Sequence, residues 1–222
     1  MAPTFSELKN TADTPSLVRK ALEGVVFMRR KTSSTALPES ILGTDKQPVD
    51  LVAEGFWPVG VMSTDGVTWG RETEKSEVEA WGYGSPVRTD IIKAPKTVAF
   101  TALESDRRQL AEVIYGMDLS TIVPGTNGEV VFDEPSTPSS DEYEAIVLTR
   151  DGSVGAPYYR GAGVPRIKLA EMDDEVWQAE DPRQYPLTFD VLTDDELGTP
   201  IRHYIGGAAF DAAKQGFGPA TP

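Results

Sequence analysis

Turn-forming residues recur at short intervals along the whole of this chain, and that punctuation constrains the fold more than any single motif does. The 17 prolines and 20 glycines are spread rather than clustered. Long helices have no room, and many short strands joined by turns are favoured. A chain of 222 residues, 39% of them hydrophobic, can bury a substantial core, and all-β chains of this size often form one unit. We therefore expect one β domain over residues 24–205, preceded by a polar arm, residues 1–23, and followed by a small-residue tail, residues 206–222.

The most regular stretch runs from Phe56 to Gly116. Phe56 to Met62 and Val67 to Trp69 flank Ser63-Thr64-Asp65-Gly66, which predicts a hairpin, because an Asp-Gly pair tolerates the positive φ of a tight turn. An acidic strand over Arg71–Trp81 follows, and Arg88–Ile92 resumes the sheet. In Val98–Leu103 both alternating faces are apolar, so this strand belongs centrally. Ser105 then reads as a helix N-cap with Asp106 in the first turn, Leu110, Val113 and Ile114 form one stripe, Arg108 can reach Glu112, and Gly116 stops the helix.

Elsewhere the β pattern repeats. Gly24–Met28 is a buried strand whose basic end, Arg29-Arg30-Lys31, emerges into water. Tyr143–Thr149 is a strand turning at Arg150-Asp151-Gly152, and Val164–Ala170 has the half-exposed alternation of an antiparallel strand. Tyr185, Leu187, Phe189 and Val191 share an apolar face. The clusters Asp173–Glu175 and Asp194–Glu196 read as turns, as does Gly161-Ala162-Gly163. In the arm only a short amphipathic turn after Pro15-Ser16 is expected. Residues 32–54 lack any pattern, with isolated Leu37, Ile41, Leu42 and Val49. Loops this long inside a domain are usually functional, so we expect contacts between subunits here.

The net charge of −14 argues against tight binding of nucleic acid or an anionic membrane. From residue 121 onward 18 acids stand against 7 bases. The absence of cysteine removes disulfides, thiolate metal sites and a cysteine nucleophile. Residues 1–20 lack an apolar core, so we expect neither a signal peptide nor a membrane span there. Glu72, Glu74, Glu77 and Glu79 mark an acidic face rather than a metal site, since no oxygen-rich loop with a central glycine accompanies them. His203 sits in a strand-like context with no Gly-x-Ser-x-Gly turn. Carboxylate pairs are too numerous for any one to indicate glycoside hydrolysis, and phosphate-binding glycine loops are missing. Trp57, Trp69, Trp81 and Tyr83 suit a core or a subunit interface better than a sugar platform. Neither enzyme nor cofactor is expected.

Taken in order, these features resemble the major tail tube proteins of long, flexible-tailed bacteriophages, particularly those of actinobacterial hosts. The resemblance rests on Gly24–Met28, Ala36-Leu37-Pro38, Val59–Thr68, Ala80-Trp81, Val87-Arg88-Thr89, Phe100–Glu104 and Val113–Gly116, and more loosely on residues 142–210. It implies a mainly β fold, an antiparallel β-sandwich or half-barrel with one helix packed on its outer side and a long inter-ring loop. It implies hexameric rings stacked into a tube in the virion tail, assembled in the host cytoplasm. The partners implied are further copies of the chain, the tape measure protein, and tail terminator and tail-tip proteins, with DNA passing through unbound. Glu72, Glu74, Glu77 and Glu79 then become candidates for the lumen, and Leu37, Pro38, Ile41, Leu42 and Val49 for contacts between rings. The alternatives are a carbohydrate-binding or adhesin β-sandwich, or a head-tail joining or head-decoration protein.

Overall fold

A computed structural model describes residues 3–218. Its strands are β1 (Glu23–Arg30), β2 (Trp57–Pro58), β3 (Met62–Arg71), β4 (Glu74–Val78), β5 (Arg88–Lys93), β6 (Lys96–Ala102), β7 (Tyr143–Ser153), β8 (Ala156–Met172), β9 (Tyr185–Val191) and β10 (Arg202–Gly206), with helices α1 (Phe5–Ala12) and α2 (Arg108–Tyr115). The main antiparallel sheet runs β2-β1-β7-β8-β9-β6-β3, with β10 also on β8.

The 17-residue β8 makes this sheet a sandwich. Its first half pairs with β10, Gly163 opposite Arg202, and its second half with β9, Ile167 opposite Val191. One strand thereby belongs to two layers. Val26, Met28 and Val147 of one layer share a core with Val98, Phe100, Leu187 and Phe189 of the other, and the rings of Phe100 and Phe189 stack at 5.5 Å. Leu110 and Val113 of α2 join this core, and Gly116 ends the helix at φ +58. Both central expectations hold: Val98, Phe100 and Ala102 are buried, and so are Tyr185, Leu187, Phe189 and Val191.

A second core lies on the opposite face of β1, β7 and β8. Ala145 and Val147 point into the first core while Ile146 and Leu148 point into the second, with Leu37, Ile41, Leu51, Phe56 and Tyr159. The alternation of side chains along a strand divides β7 between two cores. The cover of the second core is the irregular segment 32–54 itself, pinned by Leu42–Pro48 bridging and by Val49 N–H donating to the Ile41 carbonyl (3.0 Å).

Several local expectations are corrected. Asp65-Gly66 is a bulge inside β3, not a hairpin turn: Met62 faces Ala102 and Val67 faces Phe100, so β3 carries extra residues. Trp57-Pro58 is instead taken by β1, and Gly60, at φ +95, redirects the chain toward β3. A Cβ at Gly60 would lie 2.4 Å from the Glu104 carboxyl, which accepts from Val61 N–H at 2.9 Å. β4 and β5 pair with each other, not with the main sheet. The N-cap of α2 is Arg107, without a side-chain cap, because Asp106 accepts from Arg183 (2.8 Å) and Glu104 from Arg107 (2.6 Å). The β7–β8 turn falls at Val154-Gly155, with Ser153 opposite Ala156, rather than at residues 150–152. In the arm, Thr4 and Glu7 form a capping box that starts α1, the Ser/Thr-x-x-Glu signature of a helix start. The tail folds back, Phe210 lying 6.5 Å from both Tyr158 and Phe217; residues 219–222 of the expected tail lie outside the described residues.

Gly161-Ala162-Gly163 is mid-strand, and its glycines serve close approach. A Cβ at Gly161 would sit 2.4 Å from Ile41 Cδ1, one at Gly163 3.0 Å from Leu37 Cδ1, and one at Gly206 2.6 Å from Leu42 Cδ1. Three glycines thus form a flat floor on β8 and β10 that receives the loop. Gly161→Ala adds one methyl to a filled site, and we expect a loss of about 1–3 kcal/mol, seen as a lower urea midpoint with an unchanged slope.

Candidate assembly surfaces

The loop is held from below by one arginine. Arg29, at the end of β1, donates from Nε to Glu144 Oε2 (2.8 Å) and also from Nη2. It donates to the Ala36 carbonyl (2.9 Å) near the start of the loop and to the Glu54 carbonyl (2.8 Å) at its end, and its guanidinium lies 4.2 Å over the Phe56 ring. Only a planar fork of donors can serve so many acceptors at once. Glu144 is completely buried. Lys31 stands 3.7 Å from its other oxygen and 2.6 Å from Asp194, and Asp194 in turn accepts from the backbone N–H groups of Glu196 and Leu197. Arg30 pairs with Asp141. Arg29 and Lys31 are therefore drawn into the fold rather than left in water, while Arg30 stays exposed; each of the three is engaged by an acid that the fold brings to it.

This network accounts for the fate of the loop residues. Leu37 and Ile41 are buried within the chain's own second core, and Leu42 and Val49 pack against it half-buried. The Pro38 carbonyl accepts from the Tyr204 hydroxyl at 2.6 Å. What the loop offers outward is mostly polar, Glu39 and Thr44-Asp45-Lys46 among it, with Val52 also exposed.

The second surface is the β4–β5 ribbon. β3 passes into β4 and β5 into β6, joined where Glu72 N–H donates to the Pro95 carbonyl (3.2 Å). Every residue of both ribbon strands is exposed. Five residues of β4, at about 3.3 Å each, reach roughly 17 Å beyond the body. Of the four glutamates, Glu74 and Glu77 lie on β4, Glu72 precedes it and Glu79 follows it. All four are exposed, but Glu74 pairs with Lys93 at 3.3 Å, and a register shift separates Glu74 from Lys75. Of the aromatics, Trp57 and Trp69 pack against the main core. Trp81 is fully exposed and Tyr83 is 70% exposed, both in the ribbon tip.

Third, the layers splay apart beneath β3, leaving a cleft of about 820 Å³. Met62, Val67 and Trp69 line one wall, Val147 and Ala162 the other, and Arg71, Arg160 and His203 also line it. Burial, then Arg160 and Arg71, hold the His203 imidazole below its ordinary pKa. The glycine floor, the ion pairing of Glu144 and Asp194, and this cleft leave no local signal in the sequence, whereas the Thr4/Glu7 capping box does.

An antiparallel sandwich that projects an unpartnered ribbon defines a structural building block. The comparisons give the same class: a family described as phage tail tube protein matches residues 11–214. The chain belongs to that family, and its role is that of a structural component of a phage tail tube. Comparison with curated proteins yields no match. Among the described residues no helix is long and apolar enough to cross a membrane.

Two predictions follow from the ion-pair network. Removing one partner of a buried pair strands a charge, so Arg29→Ala or Glu144→Ala should each cost about 3–5 kcal/mol and open residues 32–54 to protease. The double replacement Arg29→Met with Glu144→Leu should cost far less; denaturant titration checks both. Lys31 first, then Leu197 N–H, hold the Asp194 carboxyl below its usual pKa; Arg30 does so for Asp141 and Arg166 for Glu142. Carboxyls lowered in the folded state stabilise it above their unfolded values, near pH 4, and lose that contribution as pH falls through the folded ones. Thermal midpoints should decline gently below about pH 6.5, where the unfolded chain protonates a His203 that the fold keeps neutral, and steeply below about pH 4, with a shallower steep phase in Asp194→Asn.

Proposed function

We propose that the chain polymerises as stacked rings, six copies to a ring, to build the tube through which DNA leaves the virion. The observation that carries this reading is the ribbon: a two-stranded sheet that pairs with no other strand is marginal alone, and its exposed edges invite pairing with a neighbour. Membership of the tail tube family supports the same reading.

In this arrangement the outward polar residues of the loop, Glu39 and Thr44-Asp45-Lys46, meet the next ring, because the chain's own second core buries Leu37 and Ile41. Ribbon carboxylates, Glu72 and Glu77 above all, face the channel. An acidic lining keeps phosphates from adhering as DNA slides past, since cationic contacts are what hold the backbone. The tape measure protein occupies the lumen before DNA does, and tail terminator and tail-tip proteins close the two ends. The chain acts as a conduit wall and carries out no catalysis.

Each copy brings −14 to the assembly, and the Debye length shrinks from about 10 Å at 0.1 M salt to about 3 Å at 1 M. Electron microscopy of the purified protein at high concentration should show six-membered rings or tubes, their yield rising with ionic strength. Lasting monomers at every salt concentration would refute the proposal.

A further inference from the structure

The ribbon tip and the cleft beneath β3 are both without a partner in the single chain. Trp81 is fully exposed, and Tyr83, Val87, Ile91 and Ile92 are each at least half exposed. So much apolar surface gathered on one hairpin marks a contact site. Gly82 and Gly84 flank Tyr83 with no side chains, and nothing lies within 4 Å of where a Cβ would stand on either. The tip is therefore slender, with an aromatic anchor of the kind that fills pockets at protein contacts.

The cleft has the complementary character. Its walls are largely apolar, Met62, Val67 and Trp69 facing Val147 and Ala162, and its volume, about 820 Å³, is ample for an aromatic side chain with its flanking backbone. The two acids that line it are already engaged, Glu23 by Arg150 (2.7 Å) and Glu104 by Arg107 (2.6 Å). Arg71 and Arg160, also lining it, are left without a carboxylate partner among the described residues. In a chain of net charge −14 two free guanidiniums in one cleft are unusual, and they suit an incoming acid. The tip supplies one in Glu79, two residues before Trp81.

We propose that the ribbon tip of one copy seats in the cleft of a second copy, Trp81 between the apolar walls and Glu79 against the guanidiniums of Arg71 and Arg160. The contact is heterologous, joining two different patches, so it propagates from copy to copy and closes into a ring when the rotation allows. It rests on the tube-building reading above and names the contact that builds each ring.

Four variants test it in the full chain, with wild-type assembly followed by light scattering and electron microscopy. Trp81→Ala should leave the thermal midpoint unchanged, because Trp81 is fully exposed, and should raise the concentration needed for assembly at least tenfold. Glu79→Arg should block assembly, and Glu79→Arg with Arg160→Glu should restore it. Because the chain has no cysteine, Ser85→Cys with Thr64→Cys reports the contact cleanly: oxidation should give a ladder of linked chains on a denaturing gel. If wild-type tubes form while Trp81→Ala assembles normally, or while the double-cysteine chain stays monomeric on the gel, the docking is overturned and the tube reading stands. A wild-type chain that never assembles overturns that reading and the docking with it.

Discussion

The pairing of Arg29 with buried Glu144 is the interaction on which the rest of the structure depends. A fully buried carboxylate is costly unless its charge is met and its oxygens are bonded. Arg29 meets that need and, with its remaining donors, ties down both ends of a loop that has almost no hydrogen-bonded regularity of its own. With the loop so held, Leu37 and Ile41 close the second core, and β7 can be apolar on both faces. Without it, a long polar-looking segment would have no reason to lie on the sheet.

The glycine floor shows the same economy from the other side. Loop side chains approach β8 and β10 so closely that Gly161 and Gly206 leave no space for a Cβ, and packing at interior density tolerates little change in volume. Charge anchors the loop at its ends, and shape fits it in the middle.

What was legible in the sequence follows from the range of each signal. The strands around Val98–Leu103 and Tyr185–Val191 stand out because period-two alternation is local, and the α2 stripe and its Gly116 stop are local as well. The hairpin at Asp65-Gly66 was misplaced because a bulge and a turn use the same residues, and the choice was made by β1, which takes Trp57-Pro58. The Arg29–Glu144 pair spans 115 positions, so a basic triplet read alone looks like a strand end in water. Among the candidate assembly residues, the sequence marked out residues 32–54 and 71–92 as segments, but not that the second forms a ribbon apart from the main sheet, nor which loop side chains turn inward. That depends on glycines more than a hundred positions away.

The ribbon is continuous with β3 and β6, the strands that carry Val98 and Phe100 into the main core. A pull on the ribbon along its length draws β3 and β6 the same way and shears the hydrogen bonds joining Lys96–Ala102 of β6 to Tyr185–Val191 of β9. Such a load is shared among those bonds together, whereas a pull at right angles would open them one after another. Force arriving at the tip is thereby led into the paired strands that hold the main core.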